Sequence, residues 1–261
     1  RWIENFELAR PTVMEDLPNG RFVVGGTEEQ VITLEALGFT RHAGEFPASA
    51  FPLEVIEHYD KTRDLPALPG TSRLGVHLRF GTISVRRLAL TAFELNRKFL
   101  GELIWREFYQ MILWHYPHTV NKPFRSIYDA LVYPGSEADF QQWCRAETGY
   151  PLVDAGVREL IETGFLHNRV RMVAASFLTK HLLCDWRWGE RFFARHLLDF
   201  ELASNVGGWQ WSAGIGADAA PYFRIFNPAE QQKKFDPKNT YVARWSGSDA
   251  NFFGTVAREP M

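Results

Sequence analysis

The sequence predicts an all-α protein. From about residue 70 onward the apolar residues recur three and four apart, and the alternation of a half-buried strand is nearly absent. Pro117, Pro123, Pro134, Pro151, Pro221 and Pro228 fall between the periodic segments. Helical spacing with proline as punctuation is the pattern of packed helices, because an interior proline removes a hydrogen bond and clashes with the preceding turn.

Residues 1–26 carry Pro11, Pro18, Gly20, Gly25 and Gly26 with few periodic apolar positions, and they read as a connector. Thr27 is placed to N-cap a lead-in helix in which Val31, Leu34 and Leu37 repeat until Gly38 stops it. A proline-rich crossing from Phe46 to Gly70 leads to helices expected near 84–96, 99–116, 137–147, 151–163, 168–184, 187–202 and 228–234. The expected division is a connector with its lead-in helix over 1–58 and one helical domain over 59–261. With Arg1 and not Met at its start, the sequence is expected to be part of a longer chain.

Hydrophobic residues at 46% and charged residues at 23% are the balance of an ordinary globular protein. Aromatic residues at 15% exceed what packing a core of this size requires, which points to a flat ligand. A net charge of −2 excludes a global field that would draw the chain to a polyanion, so a nucleic-acid surface must be a local patch. Cys144 and Cys184 form neither a disulfide framework nor a zinc spacing, which favours a reducing, intracellular compartment and inert core thiols. The longest apolar run, Met172 to Leu178 with Ser176 inside it, is far short of the ~20 residues of a membrane span.

Three segments carry candidate chemistry. In the helix Phe99 to Tyr116, Glu102, Trp105, Arg106 and Tyr109 share a face. An intrahelical Glu102 to Arg106 pair accounts for the charges, but an indole between two charges suits stacking on a planar ligand better than packing in a core. In His167 to Leu183, Asn168, Arg171, Met172 and Ala175 line one face, and Arg169 and Arg171 sit at the unfavourable end of the helix dipole. Phosphate or carboxylate partners would remove that cost; a solvated arginine pair is the alternative. From Asp199 to Asp218 the chain is dense in glycine, with Trp209 and Trp211 among Gly207, Gly208, Gly214 and Gly216, and glycine permits close approach of backbone to ligand.

Weaker signals are set aside on context. Gly214-Ile-Gly-Ala-Asp-Ala219 has dinucleotide spacing without the strand that gives it meaning. His115 and His118 lack a third ligand, so no metal is expected. Gly70-Thr-Ser-Arg-Leu74 offers hydroxyls, a guanidinium and N–H groups suited to phosphate, or an ordinary N-cap.

Taken together, GTSRL (70–74), ELIWREFY (102–109), TGYPLVDA (148–155), HNRVRM (167–172), GGWQW (207–211) and DAAPYFRIFNP (218–228) closely resemble the photolyase and cryptochrome family. The likeness is to the C-terminal FAD-binding region of a class I cyclobutane pyrimidine dimer photolyase, from about Tyr59 to Asp236. It implies a helical domain holding FAD, active in its reduced anionic form, with no Rossmann-like antenna domain in this chain and the antenna chromophore unassigned. The implied cofactor residues are Tyr59, Thr71, Ser72, Arg73, Leu74 and Arg106 at the phosphates, with Asn168, Arg171, Asp199, Glu201 and Asn205 around the flavin. Glu102, Trp105 and Met172 match positions that touch the dimer, and Arg63, Arg169 and Arg224 match phosphate contacts on DNA. Trp209, Trp186 and Trp143 match a tryptophan relay from flavin to surface, though three of nine tryptophans can equally be core residues.

The departures are Phe165, where Trp or Tyr is frequent beside the dimer, Phe99 in place of Trp, Gly75 in place of Ser and Glu201 in place of Asp. The implied activity is that of a deoxyribodipyrimidine photo-lyase acting on DNA with pyrimidine dimers, as a monomer in the cytoplasm at the nucleoid, without metal or membrane. The alternatives are a cryptochrome-like blue-light receptor and a flavin-free helical interaction module. Repair of the (6-4) photoproduct would usually bring a histidine pair, of which only His167 is in place.

Overall fold

The computed structural model describes Glu4, Pro11 and residues 32–40, 46–218 and 225–246. Its helices are α1 Leu53–Glu57, α2 Tyr59–Thr62, α3 Gly75–Phe80, α4 Val85–Leu95, α5 Arg97–His115 and α6 Glu137–Cys144. They continue as α7 Pro151–Thr163, α8 Asn168–Ser176, α9 Trp186–His196, α10 Leu202–Ala213, α11 Pro228–Phe235 and α12 Thr240–Trp245. Short 3₁₀ turns occupy Pro117–Val120 and Ser126–Tyr128, and no strand occurs among the described residues. No described helix is long and apolar enough to cross a membrane.

Local signals set most boundaries. Ser84 caps α4 by accepting from the N–H of Arg87 at 3.3 Å. Ser136 and Asp139 form a capping box on α6. Pro151 opens α7 and Gly164, at φ 68°, closes it in the left-handed conformation that favours glycine. The expected helix over 168–184 is instead α8 followed by a π turn over Phe177–His181, across which the rings of Phe177 and His181 stack at 4.9 Å. Leu183, at φ 53°, ends it. The expected lead-in helix lies partly outside the described residues, Thr27 included; its described part, from Thr33 to Gly38, forms hydrogen-bonded turns.

The helix over 187–202 stops at His196, and an unexpected helix, α10, runs through the glycine-rich stretch. Glycine weakens an isolated helix by about 1 kcal/mol relative to alanine, so α10 depends on what surrounds it. Glu201 caps it, its carboxylate accepting from the N–H groups of Ala203 at 3.1 Å and Ser204 at 2.9 Å. It packs on α5, α8 and α9. A Cβ at Gly207 would lie 2.2 Å from the Tyr109 ring of α5, and one at Gly189 of α9 would lie 2.0 Å from Cη2 of Trp209. The absent methyls are what allow α5 and α9 to close on this helix.

Two apolar clusters result. Ile56, Leu74, Leu88, Phe93, Phe99, Leu100 and Leu103 join α1 to α4 and the start of α5, with Ile56 lying before the expected boundary at residue 58. The larger cluster centres on Trp143, Trp186 and Trp209, at 0%, 1% and 2% exposure. An aromatic ring of this size removes roughly 150–250 Å² from water, about 4–6 kcal/mol of gross transfer free energy at about 25 cal/mol per Å².

Gly189→Ala should therefore destabilise the fold by about 1–3 kcal/mol through overpacking against Trp209. Gly208→Ala, whose Cβ would meet nothing within 4 Å, should change stability by no more than about 1 kcal/mol, in the favourable direction of helix propensity. Urea unfolding of both variants checks this, and equal midpoints would contradict the packing account.

Candidate functional site

The site begins at the N-cap of α5. Asn96 Oδ1 accepts from the N–H groups of Lys98 and Phe99 at 3.0 and 3.2 Å, while its Nδ2 donates to Glu57 O at 2.9 Å and Asp60 Oδ1 at 2.8 Å. This fixes the start of α5 on α1 and α2, and the helical repeat then carries Lys98, Glu102, Trp105, Arg106 and Tyr109 to one side. That side forms a wall of a cavity of about 420 Å³, within the range of roughly 300–1,000 Å³ for small-molecule sites. Opposite stand Asn168, Arg171, Met172 and Ala175 of α8, and Ser204, Asn205, Gly208, Trp209 and Trp211 of α10. The segment between α9 and α10 adds Leu197, Asp199, Phe200 and Glu201.

Polar groups rim an apolar interior. Arg171 donates through Nη2 to both oxygens of Asp199 at 3.0 and 2.9 Å, and through Nε to Leu166 O at 2.7 Å. Arg169, in the same first turn, donates to Asp64 Oδ1 at 2.6 Å. Both arginines thus have the anions that the helix dipole calls for. Glu102 accepts from Arg63, 39 residues earlier, and Arg106 donates to Leu78 O at 3.2 Å. Asn205 spends its Nδ2 on Glu190, at 2.9 Å to Oε1 and 3.1 Å to the backbone oxygen, which leaves Oδ1 as the amide atom available to a ligand. Burial pushes the Glu190 carboxyl above its ordinary range, opposed by that hydrogen bond.

The lining cations Arg63, Lys98, Arg106 and Arg171 outnumber the carboxylates Glu102, Asp199 and Glu201 by one. The cavity therefore favours a ligand that brings negative charge along with a flat apolar body. Gly208 leaves open space where a side chain would intrude.

Of the residues singled out from sequence, Arg63, Glu102, Trp105, Arg106, Asn168, Arg171, Met172, Asp199, Glu201, Asn205 and Trp209 line this cavity. Thr71, Ser72, Arg73 and Leu74 stand beside it, joined to it where Gly75 presses on Asp199, a Cβ there being 2.9 Å away. Arg73 takes a left-handed backbone at φ 53°, and Leu74 is buried. Tyr59 packs its ring edge-on to Phe99 at 5.1 Å and under Arg63, its hydroxyl pKa raised by burial and then by Glu102.

Phe165 is not among the residues lining the cavity but stands just behind Arg171, whose guanidinium is 6.0 Å from its centroid, with that of Arg73 at 4.5 Å. Arg224 lies outside the described residues. Trp143 meets Trp209 edge-on at 6.2 Å, but Trp143, Trp186 and Trp209 are all buried, so the outward end expected of the relay is none of these three.

Sequence reasoning passed over Lys98 and Ser204, and named Trp211 only as part of the glycine-dense stretch, without a role. Lys98 is one turn before Glu102, and Trp211 stands in the GGWQW string itself, tilted against Phe226 at 6.1 Å. Spacing could have found both.

The profile of the family described as FAD binding domain of DNA photolyase matches residues 99–261. The chain belongs to this family. It is 48% identical over 224 residues to the deoxyribodipyrimidine photo-lyase of Synechococcus sp., covering 80% of this chain and 46% of that protein. The chain thus spans about half the length of that relative. The crystal structure of a class III photolyase from Agrobacterium tumefaciens superposes with a TM-score of 0.70 at 44% identity, over 74% of this chain and 42% of that one. A Synechocystis cryptochrome gives 0.67 at 33% identity, over 74% and 42%. The arginine and asparagine groups, the indoles of Trp105, Trp209 and Trp211, and the open space at Gly208 fit the flavin that the family's description names.

In this photolyase-family chain the cavity wall α8 rests on a buried polar layer. Tyr241 of α12 donates to Glu159 Oε2 of α7 at 2.6 Å, and the N–H of His167 donates to the same oxygen at 3.4 Å. His167 Nδ1 accepts from the N–H of Arg169 at 3.2 Å, capping α8, and its Nε2 is buried without a partner. Burial, then the Arg171 charge, pushes the His167 pKa down from 6.5 to about 4.

The folded protein therefore holds this imidazole neutral, and the stability so contributed is present above pH 6.5 and lost as pH falls toward about 4. Burial raises the Glu159 and Asp154 carboxyls, which act with the opposite sign, so a variant must isolate the term. His167→Asn keeps a capping oxygen. Between about pH 7 and pH 4.5 the wild type should lose on the order of 2–3 kcal/mol more than this variant, measured by urea unfolding at both values. Parallel losses would contradict the assignment.

Proposed function

We propose that this chain is the flavin-binding, dimer-splitting part of a deoxyribodipyrimidine photo-lyase, repairing cyclobutane pyrimidine dimers in DNA under light. The observation that carries the reading is the single cavity in which Glu102 and Trp105 of α5 face Asn168, Arg171, Asp199 and Asn205. When bound, the flavin would supply the light-excited one-electron donor for opening the cyclobutane ring, without net redox change. The rest belongs to side chains of this chain.

Arg171 and Asn205 would meet the polar edge of the cofactor, the first with a compensating positive charge and the second with its free Oδ1. Asp199 and Glu201 would hold Arg171 and the first turn of α10 in place. The loop Thr71 to Leu74, with Tyr59 and Arg106, would hold the phosphates. Trp105, 42% exposed at the cavity, would stack on an extruded dimer, with Met172 beneath it and Glu102 hydrogen-bonding its carbonyl edge. Arg63, Arg169 and Arg224 would meet the DNA backbone, the local patch that a net charge of −2 requires. Trp209 and Trp143, in contact, with Trp186 in the same cluster, would form the inner part of an electron relay.

The proposal includes class I membership, on the ELIWRE and HNRVRM strings, with a catalytic domain from residue 59 to 261 after a lead-in to 58. It places the protein inside the cell, monomeric, at the nucleoid. A helical cavity of this kind also suits a light receptor that does not repair. Glu102 favours repair, since dimer-splitting enzymes typically carry glutamate there.

The test is loss of dimers from a dimer-containing oligonucleotide in blue light, with the flavin-loaded, chemically reduced chain. Glu102→Ala should retain the flavin absorbance and lower repair roughly ten- to hundredfold, the effect of one charge-assisted hydrogen bond. A flavin-loaded wild type that leaves dimers intact in the light would sink the reading.

A further inference from the structure

Two of the three arginines expected at the DNA backbone are already occupied. Asp64, just beyond α2, accepts from Arg169 Nη2 at 2.6 Å and lies 3.7 Å from Arg63 Nε. Arg63 in turn donates to Glu102 at the cavity wall. The four side chains thus form a neutral row, Glu102, Arg63, Asp64, Arg169, leading outward from the cavity. Within it the arginines are largely covered, at 15% and 18% side-chain exposure, and Asp64 is the most exposed at 43%. The Arg169 guanidinium is seated 4.2 Å from the Phe235 centroid, and its Nε has no acceptor. An arginine whose place is fixed by a ring, and whose outward partner is a half-exposed carboxylate, is arranged as a phosphate contact with an anion already in position.

We propose that Asp64 is an internal stand-in for a DNA phosphate, which keeps undamaged duplex weakly held. The inference rests on the DNA-repair reading for its ligand. Phosphate contacts carry no sequence or lesion information, and they supply most of the affinity for ordinary DNA. An Arg169 without Asp64 would add one such contact at every position along a duplex. With Asp64 in place, a phosphate must first displace a carboxylate at 2.6 Å. Each stay on undamaged DNA is shortened accordingly.

Asp64→Asn keeps the shape of the side chain and removes its charge. One added phosphate contact steepens the plot of log affinity against log salt by about 0.9, equal to roughly tenfold tighter binding at about 0.1 M salt. The measurement is fluorescence-anisotropy titration of undamaged duplex across a salt series. Glu54→Gln makes the same charge change at an exposed position on α1 and should leave the slope unaltered, which separates a specific contact from a general field. Asp64→Ala serves if the amide disturbs the fold.

Tighter binding with a steeper slope in an Asp64 variant, but not in Glu54→Gln, is the expected result. Unchanged or weaker binding by both Asp64 variants overturns the proposal, as does an equal gain in Glu54→Gln. A merely structural role for Asp64 would lower affinity and not raise it. Failure of the parent reading is separately visible, as intact dimers after illumination of the flavin-loaded wild type.

Discussion

The seating of α10 on three other helices is the constraint on which the cavity depends. Its inner face carries Ser204, Asn205, Gly208, Trp209 and Trp211 to the ligand space, and these face α5 and α8 only if the helix axes come close. Gly207 against Tyr109 and Gly189 against Trp209 set that closeness. A few tenths of an ångström at either contact would be passed directly to the opposite wall, since packed interiors have little slack. Cap chemistry does the same work along the axis, because Glu201 fixes where α10 begins while also lining the cavity.

Charge around the cavity is arranged in closed groups. Arg171 and Asp199 satisfy each other, Arg63 bridges Glu102 and Asp64, and Asn205 is oriented by Glu190. Removing one partner of such a group leaves the other partly buried without compensation, which costs more than the pair itself contributes. Groups that must receive a ligand are thereby held in one geometry before it arrives, and less ordering remains to be done on binding.

Most helices were legible because their signals are local: Ser84, Asn96, Ser136 and Pro151 each stand at a start where a cap or a first-turn proline belongs. Spacing also predicted the shared face of Glu102, Trp105 and Arg106, and the demand of Arg169 and Arg171 for anions. Three things were hidden. The helix α10 was illegible because Gly207 is explained only by a ring 98 residues back at Tyr109, and the seat of its Trp209 by the room left at Gly189 of α9, 20 residues earlier. The π turn after Ser176 breaks no sequence rule. The partner of Glu102 was sought at Arg106, one turn away, and is found at Arg63, across the fold.

The contact between Gly189 and Trp209 binds two positions into one inheritance. A methyl at 189 has nowhere to go while the indole keeps its size, and a smaller ring at 209 leaves a void beside the glycine. Neither position can drift alone without loss, so change at this place in the lineage should arrive as paired substitutions that trade bulk between them. The first indole of the inner row is thus guarded by sterics as well as by any use made of its electrons.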